Sequence, residues 1–353
     1  MREGSTMRAS IDGMTGGAWR RLGVGAGLLF VGFALAVWGA SSSSGAVSNA
    51  SVKGKKVILV SCGDTNPWCK VYNATILAGL KKAGVQTQYL QDPFDPTVQV
   101  QHLQSAIAQH PAAILVVASN DDSIVPSLQQ AKAAGVPVFN LNGRPAPQSP
   151  PLIVASILGN QQQLGLYAAK NIVAGLKAEG KTSGNVIAIT GTAATHTAQD
   201  RMAAFSGYMA KYPRYKVVSI QDGNWDPVLT AKIATQLFAK YQGQGGVAAA
   251  YGMADYQATA IVQSAVQAGL KVGVKKKGLI VTGSNCFKAG IQAIESGSMY
   301  GTATQAPANE GAYVVPFVLR YLSGKSIPKI NKNTEYDVTP ANVKTYAAEC
   351  SKA

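Results

Sequence analysis

The chain has 353 residues, of which 47% are hydrophobic and 14% charged, and its formal net charge is +15 at pH 7. This length is enough for two domains with separate hydrophobic cores. A charge this basic suits nucleic acid or an anionic surface. The lysines are scattered, however, the run at 275–277 fits a solvated loop, and no DNA-binding or RNA-binding motif is present. A nucleic-acid partner is therefore not predicted.

Residues 1–50 have the layout of an export signal. A pair of arginines precedes an uncharged apolar run at 22–38, and small residues follow it. This order defines a secretory signal peptide, with cleavage expected after Ala46 or Ala50. Its removal takes away four basic and two acidic residues and leaves a net charge of +13. The alternative is an uncleaved membrane anchor, although 17 residues diluted by glycine are at the short limit for a span.

The stretch 55–70, KKVILVSCGDTNPWCK, organises the rest of the chain. Its apolar run at 57–60 predicts a strand covered on both faces. The turn 64–67 offers capping side chains and a proline suited to the first turn of a helix, which we predict over 71–82. The turn thus follows the carboxyl end of the first strand, where ligands bind in open α/β sheets. Its Trp68 is suited to holding a small polar molecule.

Strands and helices alternate from this point onward. Helices are predicted at 97–109 and 124–134 between strands at 87–90, 113–117, 136–139 and 153–156. The alternation starts again after residue 160, with helices at 161–176, 198–212, 227–241 and 256–268 and strands at 186–189, 216–220, 247–250 and 279–282. This rhythm predicts an α/β protein with two doubly wound parallel-sheet halves.

The four cysteines are Cys62, Cys69, Cys286 and Cys350. Disulfides are permitted after export, and Cys62 and Cys69 flank the end of the first predicted strand, so we expect a bridge between them. Two semi-buried thiols are the alternative. A bridge between Cys286 and Cys350 is a further candidate, and neither pair has the spacing of a zinc site.

The order of elements, with NPW after the first strand, KAAGVPVFNLN at the fourth and ATQAPANEGAY near the end, resembles the ribose-binding protein family over about 55–350. The resemblance implies the type I periplasmic binding fold, in which two lobes joined by three crossings close on a ligand. The crossings are expected near 155–156, 304–305 and 334–336. The implied division is a signal peptide and linker at 1–50, an N-terminal lobe at 51–156 plus 306–334, and a C-terminal lobe at 157–305 plus 335–353.

The resemblance also places the family's ligand contacts on this chain. Asn66 corresponds to an asparagine that hydrogen-bonds sugar hydroxyls, and Trp68 to an aromatic that stacks on the sugar ring. Trp225 corresponds to a stacking phenylalanine and Gln305 to a glutamine of the hinge. The expected ligand-binding residues are Asn66, Trp68, Cys69, Asn120, Asn142, Gln199, Arg201, Trp225, Asp255, Asn285 and Gln305.

Some positions depart from the family pattern. Asn142 and Gly143 stand where the family usually has aspartate and arginine. Hydrogen bonds to charged groups contribute roughly 1.5–3 kcal/mol, so the ligand should differ from an ordinary aldopentose or aldohexose. A polyol, a modified sugar, a nucleoside or a less polar ring is the expected replacement.

A purely structural role is the alternative for these residues. The two tryptophans could belong to separate hydrophobic cores, and the asparagines could only shape turns. Arg201 could support the second lobe without touching a ligand. Each tryptophan lies close to an asparagine in a polar turn, which favours the cleft.

The resemblance implies an exported solute-binding protein that delivers a small sugar-like ring compound to the permease and ATPase of an ABC importer, and acts as a monomer. The alternatives are a sensor of the same fold that signals to a chemoreceptor or kinase, and a receptor for a nucleoside or less polar aromatic ligand. A transcription factor of this fold would need a helix-turn-helix where the apolar run lies.

The sequence gives little support for an enzyme. His102, His110 and His196 are poorly suited to a shared site, and no nucleophile or acid partner is implied for them. Glycine-rich phosphate loops of the mononucleotide or dinucleotide type are absent. No cofactor, no metal and no catalytic activity are therefore predicted.

Overall fold

The computed structural model describes residues 51–352, which form two α/β lobes. The N-lobe is built on a six-stranded sheet in which all neighbouring strands are parallel. Its strands are β1 (Lys56–Cys62), β2 (Gln86–Asp92), β3 (Ala113–Val116), β4 (Val138–Asn142), β5 (Ala155–Leu158) and β11 (Ile330–Lys332). Their order across the sheet is β11-β5-β4-β3-β1-β2, so an edge strand comes from far along the chain.

Helices cover both faces of this sheet. They are α1 (Pro67–Lys82), α2 (Pro96–Ala108), α3 (Val125–Ala133) and α9 (Pro307–Leu322). Val57 and Leu59 of β1 belong to the core shared with α1 and α9, whereas Ile58 and Val60 belong to the core shared with α2 and α3. Successive side chains of a strand point to opposite faces, so burial of both faces requires an unbroken apolar run. The predicted two-sided burial of the first strand is confirmed.

The C-lobe is built on a four-stranded sheet with the order β7-β6-β8-β9, again with parallel neighbours. Its strands are β6 (Gly184–Thr190), β7 (Tyr215–Asp222), β8 (Ala249–Gly252) and β9 (Ile280–Thr282). Its helices are α4 (Gln161–Ala178), α5 (His196–Met209), α6 (Pro227–Tyr241), α7 (Asp255–Gln267), α8 (Lys288–Ser296) and α10 (Val343–Cys350). The predicted fold class, two doubly wound parallel-sheet lobes, is confirmed.

The chain crosses between the lobes three times. The crossings follow β5, lead from β10 (Thr302–Ala303) into α9, and lead from β11 to β12 (Asp337–Val338). Strands β10 and β12 pair antiparallel. The first crossing begins later than the expected 155–156, because the whole of β5 pairs with β4 and β11 in the N-lobe sheet.

Side chains of the second and third crossings meet in the hinge. Thr304 Oγ1 donates a hydrogen bond to Glu335 Oε2 at 3.2 Å, and the Asn333 amide donates to the Glu310 carboxylate at the start of α9. Burial raises the pKa of both Glu310 and Glu335, and the negative charge of Glu310 raises the pKa of Glu335 further. The hinge therefore contains a buried pair of carboxyl groups.

The predicted signal peptide at 1–50 lies outside the described residues and remains a prediction, as do the residue limits of the two domains. Within 51–352, every helix is too short or too polar to cross a membrane. A disulfide joins Cys286, after β9, to Cys350 at the end of α10.

Candidate ligand-binding cleft

A cavity lies between the lobes, at the carboxyl ends of both sheets. Its empty volume is about 430 Å³. Among its lining residues, Arg201 carries a charge and none is an aspartate or glutamate. The polar and aromatic residues that line it are Asn66, Trp68, Phe94, Asn142, Thr195, Thr197, Arg201, Trp225, Tyr256, Asn285 and Gln305.

Asn66 caps the first turn of α1 and also contacts the C-lobe. Its Oδ1 accepts hydrogen bonds from the backbone N–H groups of Trp68 and Cys69 at 2.9 and 3.1 Å. Its Nδ2 donates to the Tyr256 hydroxyl at 3.1 Å and to the Trp225 carbonyl at 3.4 Å. Capping holds the asparagine side chain in one orientation, so the start of α1 fixes an amide at the boundary between the lobes.

Trp68 lies on the N-lobe wall of the cavity. Its ring stacks on Tyr72, with the ring centroids 4.2 Å apart. Its Nε1–H group is buried and has no hydrogen-bond partner within the described residues. An unpaired buried donor costs about 1–3 kcal/mol, which an acceptor on a ligand would remove. A disulfide joins Cys62 at the end of β1 to Cys69 in the first turn of α1, so the same wall is covalently braced.

Trp225 lies on the C-lobe wall, in the loop that follows β7. Its indole covers Gly191 so closely that a Cβ atom at position 191 would overlap the ring. The guanidinium carbon of Arg201 lies 5.3 Å from the indole centroid, which is the distance of a cation–π contact. Each lobe therefore contributes one indole to the cavity and holds it by contacts of its own.

Arg201 is the centre of a buried polar network and is only 1% exposed. Its Nε donates to Gln161 Oε1 at 2.8 Å, and its two terminal nitrogens donate to the Met253 carbonyl at 2.7 Å and to Gln305 Oε1 at 2.5 Å. Within the described residues, no carboxylate forms an ion pair with it. Burial lowers the pKa of Arg201, although a guanidinium keeps its charge in proteins. Its main effect is to orient the amides around it.

Asn142 joins the N-lobe to this network. Its Oδ1 accepts hydrogen bonds from Gln161 Nε2 at 2.8 Å and Gln305 Nε2 at 3.0 Å. Gln305 Oε1 in turn accepts from Asn285 Nδ2 at 2.5 Å. Asn142 belongs to the N-lobe, Asn285 to the C-lobe and Gln305 to the second crossing, so hydrogen bonds run from lobe to lobe through the hinge.

Backbone strain is concentrated around the cavity. Phe94, Asn142, Trp225 and Asn285 have φ angles of 59°, 67°, 56° and 84°. This left-handed conformation costs roughly 1–2 kcal/mol for residues other than glycine, and asparagine tolerates it better than a bulky aromatic does. Strain of this kind gathers at functional sites, which supports the cavity as the functional site of the protein.

Polar contacts also join the lobes at the edge of the cleft. The His196 backbone N–H, at the start of α5, donates to Asp121 Oδ2 at 2.8 Å. Arg144 Nε donates to Asp200 Oδ1 at 2.9 Å. Burial raises the pKa of Asp121 to about 6, and the hydrogen bond from His196 opposes that rise.

The structure brings eight of the eleven predicted ligand-binding residues together around the cavity: Asn66, Trp68, Cys69, Asn142, Arg201, Trp225, Asn285 and Gln305. Asn120 is not among the lining residues, and its side chain caps the turn that contains Asp122 and Ser123. Gln199 is exposed on α5 and donates to the Ala193 carbonyl at 3.3 Å.

Asp255 is also absent from the cavity lining and is buried inside the C-lobe. Its carboxylate accepts hydrogen bonds from Thr302 Oγ1 at 2.5 Å and from the Phe287 N–H at 2.8 Å. Phe287 is the N-cap residue directly before α8, so the carboxylate satisfies a backbone donor that the helix leaves unpaired. Burial raises the pKa of Asp255 to about 7.

Four polar or aromatic lining residues were not identified from the sequence: Phe94, Thr195, Thr197 and Tyr256. Each follows a strand of one of the two sheets, either in the connecting turn or in the first turn of the next helix. An aromatic or hydroxyl side chain directly after a parallel strand is the signal that could have found them.

The chain matches the model of the periplasmic binding protein domain over residues 57–326. It therefore belongs to this family, which confirms the resemblance that the sequence motifs indicated. It is 25% identical to the D-ribose/D-allose-binding protein of Pseudomonas aeruginosa over 244 residues, or 67% of this chain and 71% of that protein.

Two further similarities extend over more of the chain. The D-apiose import binding protein of Paraburkholderia graminis is 23% identical over 276 residues, covering 78% of this chain and 84% of the relative. The periplasmic binding component of an arabinose ABC transporter from Shewanella sp. ANA-3 superimposes with a TM-score of 0.75 at 21% identity, covering 84% of this chain and 95% of that one. The structural likeness shows the fold.

Proposed function

We propose that the protein is an exported solute-binding protein of an ABC importer, and that it captures a small sugar, polyol or sugar-like ring compound between its lobes. The observation that carries this proposal is the cavity at the carboxyl ends of both sheets, with Trp68 on one wall and Trp225 on the other. Indole faces suit the apolar face of a ring, and amides suit hydroxyl groups as donors and acceptors.

The proposed capture depends on closure of the lobes. The hydrogen bonds from Asn66 Nδ2 to the Tyr256 hydroxyl and to the Trp225 carbonyl link groups on either side of the cleft, so they require the closed arrangement. A ligand that touches both walls favours the closed state by its differential affinity for that state. Closure around a hinge is the known way in which such folds bind.

The lining favours an uncharged ligand. Its amides come from Asn66, Asn142, Asn285 and Gln305, and no carboxylate is present to pair with a cation. Arg201 already donates to four oxygens of the protein, so it does not require an anionic ligand. We therefore propose a neutral polyhydroxy compound, with a polyol or a modified sugar ahead of an ordinary aldohexose.

The relatives favour import over the alternatives. They are named for binding ribose, allose and apiose, and one is named as an import protein. A sensor that serves a chemoreceptor or kinase would share the same cleft, and a nucleoside receptor would need contacts to a base. The remaining parts of the proposal are cleavage of the leader after Ala46 or Ala50, a monomer in solution, delivery to a permease and ATPase, and no catalytic turnover.

The ligand class is tested by a thermal-shift screen of sugars, polyols, nucleosides and small aromatics. A ligand at 100 times its dissociation constant stabilises the folded state by about 2.7 kcal/mol and raises the melting temperature. It should also shift tryptophan emission, because Trp68 and Trp225 are the only tryptophans after residue 50. A response to nucleosides or aromatics alone would contradict the proposed class, and conversion of the ligand would contradict a binding protein.

The transport role is tested in cells that lack the protein. Uptake of the labelled ligand from the screen should fall, and the intact gene should restore it. Normal uptake together with a lost response to the ligand would favour the sensor.

A further inference from the structure

The acidic residues of the N-lobe are confined to one of its two ends. All of its acidic residues lie after the carboxyl end of a strand or at the start of a helix, on the side of the cleft. They are Asp64, Asp92, Asp95, Asp121, Asp122 and Glu310. The opposite end, in the part of the chain described here, contains basic residues and no acidic one.

This basic end is formed where strands begin and helices finish. We call it the N-lobe pole and define it by Lys53, Lys55, Lys56, Lys81, Lys82, Lys132, Arg320, Lys325 and Lys329. In a parallel sheet with covering helices, the amino ends of the strands and the carboxyl ends of the helices lie at the same end of the lobe. Residues that are far apart in sequence therefore gather there. The cleft lies at the carboxyl ends of the strands, and the pole faces away from it.

Helix dipoles explain only some of these charges. Lys81, Lys82, Lys132 and Arg320 lie in the last turns of α1, α3 and α9, where cations are stabilised by the helix dipole. The other five lie at the start of β1 or between α9 and β11, and the dipoles give no reason for them.

Three of these five lysines line one surface concavity. Lys55, Lys325 and Lys329 line it together with Ser51 and Tyr321. Lys55 Nζ donates to the Leu322 carbonyl at 2.5 Å, whereas Lys53, Lys325 and Lys329 are exposed. The described chain begins at this concavity with Ser51.

We propose that the N-lobe pole is a docking surface for an anionic lipid bilayer. Two observations point to this partner: a surface that carries basic side chains and no acidic one, and its position at the end of the lobe that faces away from the cleft. Each basic side chain near an anionic bilayer adds about fivefold to the affinity, and bound lipid charge would neutralise a surface that holds no acid of its own. The pole would rest on the headgroups and leave the cleft free.

The test compares two triple variants with the same change of charge. K53Q/K325Q/K329Q removes three charges from the pole, and K275Q/K276Q/K277Q removes three exposed lysines before β9. That second run lies at the amino end of the C-lobe sheet, on the opposite side of the cleft. Co-sedimentation with phosphatidylglycerol-containing and with pure phosphatidylcholine vesicles gives an affinity ratio, which is compared between variants that share the same residues 1–50 and therefore the same four arginines of that segment.

The native protein should prefer anionic vesicles, and added salt should weaken that preference. In the pole variant the ratio of the affinities for anionic and neutral vesicles should fall roughly 100-fold. In the C-lobe variant the ratio should stay at the native value, and both variants should keep the native melting temperature. A second pole variant, K81Q/K82Q/K325Q, should show a comparable loss, so that a folding defect in one variant does not decide the result.

Three outcomes would overturn the proposal. The native protein could bind both kinds of vesicle equally, which would remove the anionic preference. Equal losses in the pole and C-lobe variants would assign the effect to net charge. Binding of a DNA duplex that is lost only in the pole variants, without binding to vesicles, would assign the surface to nucleic acid.

Discussion

At the scale of single residues, the position of Trp225 depends on the absence of a side chain at Gly191. A Cβ atom there would overlap the indole, and a fused ring has little freedom to yield. We predict that G191A displaces the indole, lowers the free energy of unfolding by about 1–3 kcal/mol, and weakens ligand binding at least tenfold. Calorimetric titration with the ligand from the screen measures the affinity, and tryptophan emission reports the displaced ring.

The matched control is G207A, in α5 of the same lobe. Within residues 51–352, no atom lies within 4 Å of a Cβ atom at position 207, and alanine stabilises a helix interior by roughly 0.5–1 kcal/mol relative to glycine. G207A should therefore leave ligand affinity unchanged. Equal affinities in the two variants would show that the indole of Trp225 does not hold the ligand.

At the scale of elements, two helices of the N-lobe start in the same way but differ in their relation to the cleft. Asn66 caps α1 and Asp95 caps α2, each with a proline as the next residue. Loss of either cap should cost about 1 kcal/mol of stability. Only Asn66 also donates to Tyr256 across the cleft, so N66A should weaken ligand binding and D95A should not. Chemical denaturation and calorimetric titration of both variants separate the two effects, and a similar loss of affinity in D95A would contradict this assignment.

Much of the fold was predictable because local chemistry determines it. The apolar run at 57–60 required a strand buried on two faces, and the turn before Pro67 supplied the cap of α1, which begins at Pro67 rather than at 71. The end of β5 was less predictable, since strand length there depends on pairing with β11, more than 170 residues later.

The candidate site was only partly predictable for a related reason. Asn66 and Trp68 follow β1 directly, so the strand places them at the cleft. Asp255 has the same kind of position after β8, yet its carboxylate turns inward to the start of α8, a contact between segments that no local pattern contains. Tyr256 lies beside it and lines the cavity instead.

At the scale of the whole molecule, several buried carboxyl groups bind protons more tightly than in an unfolded chain. Burial raises the pKa of Asp255 from 3.8 to about 7 and that of Asp121 to about 6, and it also raises the pKa values of Glu310 and Glu335. Between pH 4 and 7 the folded protein therefore holds protons that the unfolded chain has released. Stability must fall as pH rises through this window.

We predict a higher melting temperature at pH 5.5 than at pH 7.5. Each such group lowers the free energy of unfolding by roughly 1.4 kcal/mol for each pH unit between its pKa in the unfolded chain and its pKa in the folded protein. D255N removes one of these groups, and its amide oxygen can still accept one hydrogen bond, so the difference between the two melting temperatures should shrink. Calorimetric scans at both values measure it. If the native protein melted at the same or a higher temperature at pH 7.5, the folded protein would not bind more protons than the unfolded chain in this pH range, and the prediction would be wrong.

The N-lobe sheet is discontinuous in sequence, and this has a consequence for the order of folding. Strands β6 to β9 of the C-lobe sheet follow one another between residues 184 and 282. The N-lobe sheet is complete only when α9 and β11, between residues 307 and 332, have been made. A chain that emerges from a ribosome or a narrow channel with its amino end first can thus complete its second sheet before its first. The sheet whose first strand is made earliest is therefore the one completed last, and its uncovered strands need protection until α9 and β11 have been made.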